Sequence, residues 1–536
     1  MSESWGEALN KNKALFWGLV VGIVAAGVVF RCLVATQPYS GMGETPHFGD
    51  FEAQRHWMEL TVNLPIREWY VNGPHNNLTY WGIDYPPLTA YFSWAWGKLF
   101  VSSSSLSLSL SLSRGLIFSC VHVNSAQVVV PDMVALDDSH GIETATTKAF
   151  MRMTAIVSDV LVYFTASIAF AFVCYKGDAV AQLRTIAFLI LQPTLILVDH
   201  GHFQYNAVSL GFSLWAAVFV LADWDIVGSI FFVLAINYKQ MALYYSPAFF
   251  FFLLGKCFSD KKTWGRAIGK FVAIGSAVII TMIVCWAPFL GSIDDCMHVV
   301  RRIFPVQRGL FEDKVANFWC AVSPFIKFRN IFSQANLVKT SFVPLYHHVE
   351  CFSSPFFFVC YRAVTTLVGF APAILSMYKD RSRRGLLLGM GVSSFSFYLF
   401  SYMVHEKTIL FPLLPVTLLG AECPGLSLFT NTFAAFSMFP LLEREGLSIP
   451  YGCLIIFFAL LCHIISQPRP LWIMILSDLF IIAYHVLERT VAPPARYPDT
   501  YALLNACASF AAFYSVFALI KYRLVRSSNP EKAKSE

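Results

Sequence analysis

Two short stretches hold most of the residues able to do chemistry. One runs His47-Phe48-Gly49-Asp50-Phe51-Glu52-Ala53-Gln54-Arg55-His56-Trp57-Met58-Glu59, the other Tyr80-Trp81-Gly82-Ile83-Asp84-Tyr85-Pro86-Pro87-Leu88-Thr89. Between positions 50 and 84, Asp50, Glu52, Glu59, Glu68 and Asp84 crowd together with Arg55, His56 and Arg67, in a chain whose charged content is only 13%. A carboxylate within hydrogen-bond reach of a hydroxyl can accept its proton, so the chemistry to expect is acid–base work. Asp50, in a turn opened by Gly49, is the strongest candidate for the base. The competing reading makes it the N-cap of a helix that starts near Phe51. Asp84, just ahead of Tyr85-Pro86-Pro87, could cap the next helix, whose first turn welcomes proline.

The elements that must position these residues are apolar. The chain has 536 residues, 56% of them hydrophobic, and soluble domains carry about 25% charged residues. The apolar runs are roughly 15–25 residues long, enough to cross a hydrocarbon core of about 30 Å. The expected class is an all-α polytopic membrane protein with about 14 transmembrane helices. The net charge of +6 argues for no nucleic acid, because the Lys and Arg residues sit in short loops that orient helices.

Residues 1–13 read as a cytosolic N-terminus and 14–36 as an uncleaved first span. Residues 37–85 then form a lumenal loop, where Asn77-Leu78-Thr79 is a glycosylation sequon. The Ser/Leu alternation after Phe100 marks 101–129 as a low-complexity cytosolic insertion. Asn237-Tyr238-Lys239-Gln240 interrupts a long apolar stretch, and such breaks face protein or a water-filled cavity. Residues 14–290 form one membrane module and 291–354 a second lumenal loop. A C-terminal membrane module spans 355–522, and 523–536 is a cytosolic tail. Lys532 and Lys534 resemble a dilysine retrieval signal read by coat proteins.

Beyond Asp50, the chain resembles the dolichyl-phosphate-glucose-dependent glucosyltransferases of the endoplasmic reticulum, within the GT-C class. The resemblance is carried by Gly49–Glu59, Asn63-Leu64-Pro65-Ile66-Arg67-Glu68-Trp69-Tyr70 and Asp84–Tyr91. It continues through Asp199-His200-Gly201-His202-Phe203-Gln204-Tyr205-Asn206, Asn237–Tyr244, Arg308–Trp319 and His405-Glu406-Lys407. These motifs follow one another over residues 14–425, apart from the insertion. The implied fold is of GT-C type, with two lumenal loops roofing a cavity between spans. The implied reaction is transfer of the first glucose from dolichyl phosphate glucose onto Man9GlcNAc2 on dolichyl pyrophosphate. An α-1,3 bond forms with inversion. Addition of the second glucose is the close alternative, and a multi-span lipid or sugar transporter is the alternative of another class. The implied location is the endoplasmic reticulum membrane, with a lumenal active site and both termini cytosolic.

The resemblance implies an aspartate base in the first lumenal loop, matching Asp50. Glu52, Arg55, His56 and Asp84 are expected at the substrate, with Glu52 also a structural partner for a nearby cation. Arg308, Lys314, His405 and Lys407 are the cations expected at the departing phosphate, where arginine can grip two oxygens at once. Trp57, Trp69, Tyr80 and Trp81 could stack on sugar rings or sit in an interfacial belt. By the span count Asp199, His200 and His202 fall at the cytosolic end, where a helix-packing network is expected of them. No metal and no cofactor beyond the lipid-linked substrates is expected.

Overall fold

The computed structural model describes residues 7, 9–102, 131–258, 264–304, 315–323, 355–401, 404–466 and 472–527. The low-complexity insertion from 103 onward and the dilysine-type tail lie outside them. Among the described residues the chain is helical and forms no strand. Seven helices among the described residues are long and apolar enough to cross a membrane, joined by shorter apolar helices such as Asn206–Leu221 and Asp225–Tyr238. The chain is a multi-pass membrane protein. It divides into two compact units, Met1–Leu243 with Ile268–Phe304 and Leu441–Phe458, and Tyr244–Ala267 with Pro305–Pro440 and Ala459–Glu536.

The first unit carries the acid-rich loop. Helix α1 (Lys13–Ala35) starts where the Asn12 side chain accepts from the Leu15 amide, a side-chain cap for an otherwise orphaned donor. Helix α2 (Asp50–Asn63) has Gly49 at its N-cap and Asp50 and Glu52 in its first turn, where negative charge complements the helix dipole. Helix α3 (Pro87–Ser102) opens on proline, whose missing N–H costs nothing in a first turn. Helices α4 (Ala145–Cys174) and α5 (Ala179–Phe203) begin at caps supplied by Thr144 and Asp178. Helices α6 (Asn206–Leu221) and α7 (Asp225–Tyr238) follow, and the apolar stretch expected over 226–255 breaks at Lys239.

Helix α2 lies between two apolar clusters. Phe51 and Met58 join Tyr39, Met133, Phe150, Phe203, Tyr205 and Tyr238 on one side. Trp57 and Leu60 join Trp69, Tyr70, Ile83, Phe289, Val299 and Ile303 on the other. Trp57 and Trp69 are buried, with their indole N–H groups on the carbonyls of Trp81 and Leu64. They build the loop's interior and form neither a sugar platform nor an interfacial belt.

The span count is corrected at one point. It puts the segment after the insertion on the cytosolic side, but residues 131–144 pack on α2. Arg55 donates to the Met133 carbonyl at 2.6 Å and to the Ser139 hydroxyl at 2.7 Å, and the Asp137 amide donates to Glu59 at 3.0 Å. Helix α4 therefore leaves from the side of the acid-rich loop and α5 returns to it. Both helices contain a wide, π-helical turn, Asp159–Phe164 in α4 and Leu197–Phe203 in α5. Such turns are rare and concentrate at functional sites.

In the second unit Arg383–Phe400 is the central helix, packed on Ser246–Phe258, Pro355–Phe370, Leu410–Leu418 and Thr500–Ser527.

Candidate active site

Asp50 is set by close backbone packing. Gly41 has φ +71°, and a Cβ there would lie 1.9 Å from the Gly49 nitrogen; a Cβ at Gly49 would lie 2.3 Å from the Ser40 backbone. Only glycines allow this approach. It brings the Ser40 hydroxyl to the Asp50 amide at 3.3 Å, while the Ser40 amide donates to the His202 carbonyl at 3.2 Å. The start of α2 is thereby fixed against the wide turn that ends α5.

The Asp50 side chain does not spend itself on capping. Its Oδ2 accepts from His202 Nε2 at 2.9 Å and from the Gln204 amide nitrogen. His202 Nδ1 in turn faces Glu445 Oε1 at 2.6 Å. Gln204 Oε1 accepts from Lys239 Nζ at 3.1 Å and from Asn206 Nδ2 at 3.0 Å, so the amide has one orientation. Lys239 also donates to the Asn206 oxygen and lies 4.8 Å from the centre of the Tyr85 ring. His202 and Lys239 are almost wholly buried, whereas the Asp50 side chain keeps 21% of its surface exposed. The arrangement is a partly open carboxylate on a buried wall of hydrogen-bond donors.

Behind this wall Asp199 accepts from Asn206 Nδ2 and the Ala207 amide, both at 2.7 Å. Asp159 Oδ2 accepts from Arg31 Nε at 2.6 Å and His200 Nε2 at 2.9 Å. Asp199 and His200 thus belong to helix packing, as expected, but His202 does not. Its placement at the opposite face is overturned by its contact with Asp50. The signal was a run of polar side chains, His200, His202, Gln204 and Asn206, between apolar helices. Lys239 was visible as the break in an apolar stretch; Glu445 had no local signal.

Glu52, Arg55 and His56, expected at the substrate, are buried within the loop. Arg55 pairs with Glu52 at 2.6 Å and Glu59 at 2.8 Å, as spacings of three and four on one helix face allow. Burial disfavours the Arg55 charge, but Glu52 and Glu59 outweigh it and hold its pKa above the usual value. Burial likewise pushes the Glu59 carboxyl up, yet the His56 hydrogen bond and the Arg55 charge hold it down at about 2. Tyr80 donates to Glu52 at 2.9 Å, and burial with the Glu52 charge pushes its phenol up. His56, Glu59 and His140 bring ligand-type atoms within 4.8 Å of one another. Glu59 Oε2 there already meets Arg55, His56 and the Ser139 hydroxyl.

Asp84 is half-buried, three residues ahead of α3. Its loop is held by Tyr70, whose hydroxyl donates to the Tyr85 carbonyl at 2.8 Å, and by Arg302, which donates to the Gly82 and Ile83 carbonyls. Sequence reasoning missed Arg302. In the second unit His405 stands at the N-cap of the short turn Glu406–Ile409 and Lys407 lies within it. Arg308 and Lys314 lie outside the described residues.

Helices long and apolar enough to cross a membrane, with a partly open carboxylate presented on a wall of donors, define the class as a multi-pass membrane protein with a candidate acid–base site. The profile of the ALG6, ALG8 glycosyltransferase family matches residues 27–519, and the chain belongs to that family. It is a glycosyltransferase, which decides between enzyme and transporter. Among its relatives, a rat protein named dolichyl pyrophosphate Man9GlcNAc2 alpha-1,3-glucosyltransferase is 37% identical, over 95% of this chain and 96% of its own. A Dictyostelium discoideum protein, named as the probable form of the same enzyme, is 41% identical over 84% and 80%. The Saccharomyces cerevisiae protein of that name is 35% identical over 96% and 92%.

Proposed function

We propose that this enzyme adds the first glucose to Man9GlcNAc2 on dolichyl pyrophosphate, from dolichyl phosphate glucose, in the endoplasmic reticulum membrane. The names of the relatives support the acceptor and the α-1,3 linkage. The observation that carries the reading is the Asp50 carboxylate, partly exposed and held through one oxygen by His202 and Gln204. A mannose hydroxyl gives its proton to Asp50 as its oxygen attacks the anomeric carbon. The bond from that carbon to the phosphate oxygen breaks, and its electron pair leaves with dolichyl phosphate. Attack from the face opposite a β-linked phosphate gives the α product.

No divalent ion is proposed for this step. Arg308, Lys314, His405 and Lys407 are the cations proposed for the departing phosphate, on the resemblance of their motifs, and Asp84 is proposed to orient substrate hydroxyls. The dilysine-type tail is proposed to bind coat proteins.

The test offers purified enzyme Man9GlcNAc2 and monoglucosylated lipid acceptors side by side, with dolichyl phosphate glucose, and reads linkage and anomer of the product. Glucose added α-1,3 to Man9GlcNAc2 alone is the expected result. Exclusive use of the monoglucosylated acceptor would reassign the chain to the second transfer, and a β product would remove the inverting mechanism.

A further inference from the structure

We propose that Glu445 and His202 act as a positioning pair for Asp50, fixing the rotation of its carboxylate for the attack of the acceptor hydroxyl. The inference rests on the reading of Asp50 as the base.

Three features of the fold carry it. His202 is buried, and each of its ring nitrogens faces a carboxylate oxygen, Nε2 toward Asp50 at 2.9 Å and Nδ1 toward Glu445 at 2.6 Å. The ring cannot turn without losing both contacts. Second, Glu445 comes from a segment 243 residues away in sequence. The segment is seated on the wide turn of α5: a Cβ added to Gly201 would meet the Leu447 side chain at 2.8 Å. Gly446, with φ +73°, turns the chain between Glu445 and Leu447. Third, Glu445 Oε2 is buried with no hydrogen-bond partner among the described residues. A buried carboxylate oxygen left bare is costly. That cost is offset by the imidazole that Glu445 holds and by the charge of the buried Arg152 nearby.

Short contacts to a carboxylate at both ends, 2.6 Å and 2.9 Å, make the line Glu445–His202–Asp50 stiff. Gln204 adds a second donor to the same Asp50 oxygen. Two donors converging on Oδ2 define the plane of the carboxylate, and small misplacements of a reacting group cost rate more than affinity. Glu445 touches neither substrate nor Asp50 in this arrangement; it acts through the ring.

The experiment is steady-state kinetics of the full-length enzyme in detergent, with thermal unfolding of every variant. Glu445→Gln keeps the shape but removes the charge that holds the imidazole. The expected result is a fall in kcat of about 10- to 100-fold, with KM for donor and acceptor unchanged, as for an interaction used only in the transition state. His202→Gln retains an amide donor for Asp50 and is expected to keep more activity than His202→Leu. A Glu445→Gln enzyme with wild-type kcat overturns the proposal, and so does one in which kcat, KM and melting temperature deteriorate together. If Glu445→Gln fails to fold, the order of the two His202 variants decides, and equal activity of the pair overturns it. Asp50→Asn, assayed alongside, separates the two readings. An active Asp50→Asn removes the base itself, whereas an inactive one beside a fully active Glu445→Gln removes only the positioning pair.

Discussion

The Lys239 ammonium donates to the side-chain oxygen of Gln204 at 3.1 Å and, together with Asn206 Nδ2 at 3.0 Å, determines which end of that amide faces Asp50. With the oxygen turned to Lys239, the nitrogen is left to donate to the carboxylate. Lys239→Met removes one of the two donors that hold this orientation, leaving Asn206 alone on the Gln204 oxygen, and loosens the donor that faces Asp50. Turnover is expected to fall by about 10-fold, the equivalent of one hydrogen bond near 1.4 kcal/mol, with Lys239→Arg less affected. Equal turnover of Lys239→Met and wild type in the glucosyl transfer assay would refute the orienting role.

Asp50→Asn preserves shape and keeps one oxygen to accept from His202 and Gln204, but cannot take up the proton. The expected loss in kcat is about 10²–10⁴-fold, with donor binding retained. Equilibrium binding of dolichyl phosphate glucose to the variant, measured beside its turnover, checks both halves of this statement. Near-normal turnover would move the base elsewhere, with Asp84 the next carboxylate to test.

The Glu59 carboxyl sits at about 2, below its ordinary 4.5. Its ionised form is therefore the one the fold prefers. The stability it contributes is complete above pH 4.5 and is lost as pH falls from there through 2. Melting temperatures of the purified enzyme from pH 7 down to pH 2.5 should decline across that window, and Glu59→Gln should flatten the decline. A parallel decline in both proteins would assign the acid sensitivity to other groups.

Removing one partner of the Arg55 cluster strands buried charge. Arg55→Met leaves Glu52 and Glu59 facing each other without their common cation, which should cost about 3–5 kcal/mol. The measurement is unfolding in detergent. A stable, well-folded Arg55→Met enzyme with selectively weakened substrate binding would return Arg55 to the substrate site.

Arg302 grips two successive carbonyls ahead of α3. Arg302→Ala should cost about 1.5–3 kcal/mol of stability, the range for hydrogen bonds from a charged donor. Its effect on kcat should be far smaller than that of Asp50→Asn. A variant that melts normally would show that the loop is held without it.

The sequence made α1 legible almost to the residue, because one apolar run is bounded by Asn12 on one side and Thr36-Gln37-Pro38 on the other. It also exposed the break near Lys239, since Asn, Lys and Gln inside an apolar stretch need polar partners. The Glu52–Arg55–Glu59 spacing, legible as one helix face, explains why those residues turn inward to each other. What could not be read was the side on which His202 and Gln204 emerge. Counting spans assumes that each apolar run crosses once, and the short polar segment 131–144, masked by the neighbouring low-complexity tract, shifts the count. Glu445 was invisible for a different reason: a contact over 243 residues leaves no periodicity behind.

The Arg31–Asp159 pair has a consequence for how the chain is made. The two residues are 128 positions apart, so the ribosome delivers the guanidinium of the first membrane helix long before its carboxylate. An unpaired arginine in hydrocarbon costs about 2.5–3.5 kcal/mol at the centre of the bilayer and less toward the ends. Until α4 emerges, α1 offers that cation its own Gly27 carbonyl at 3.1 Å but no carboxylate. The first helix thus carries an unneutralised cation until its partner helix has been made. The ion pair that neutralises it can form only once Asp159 has been made.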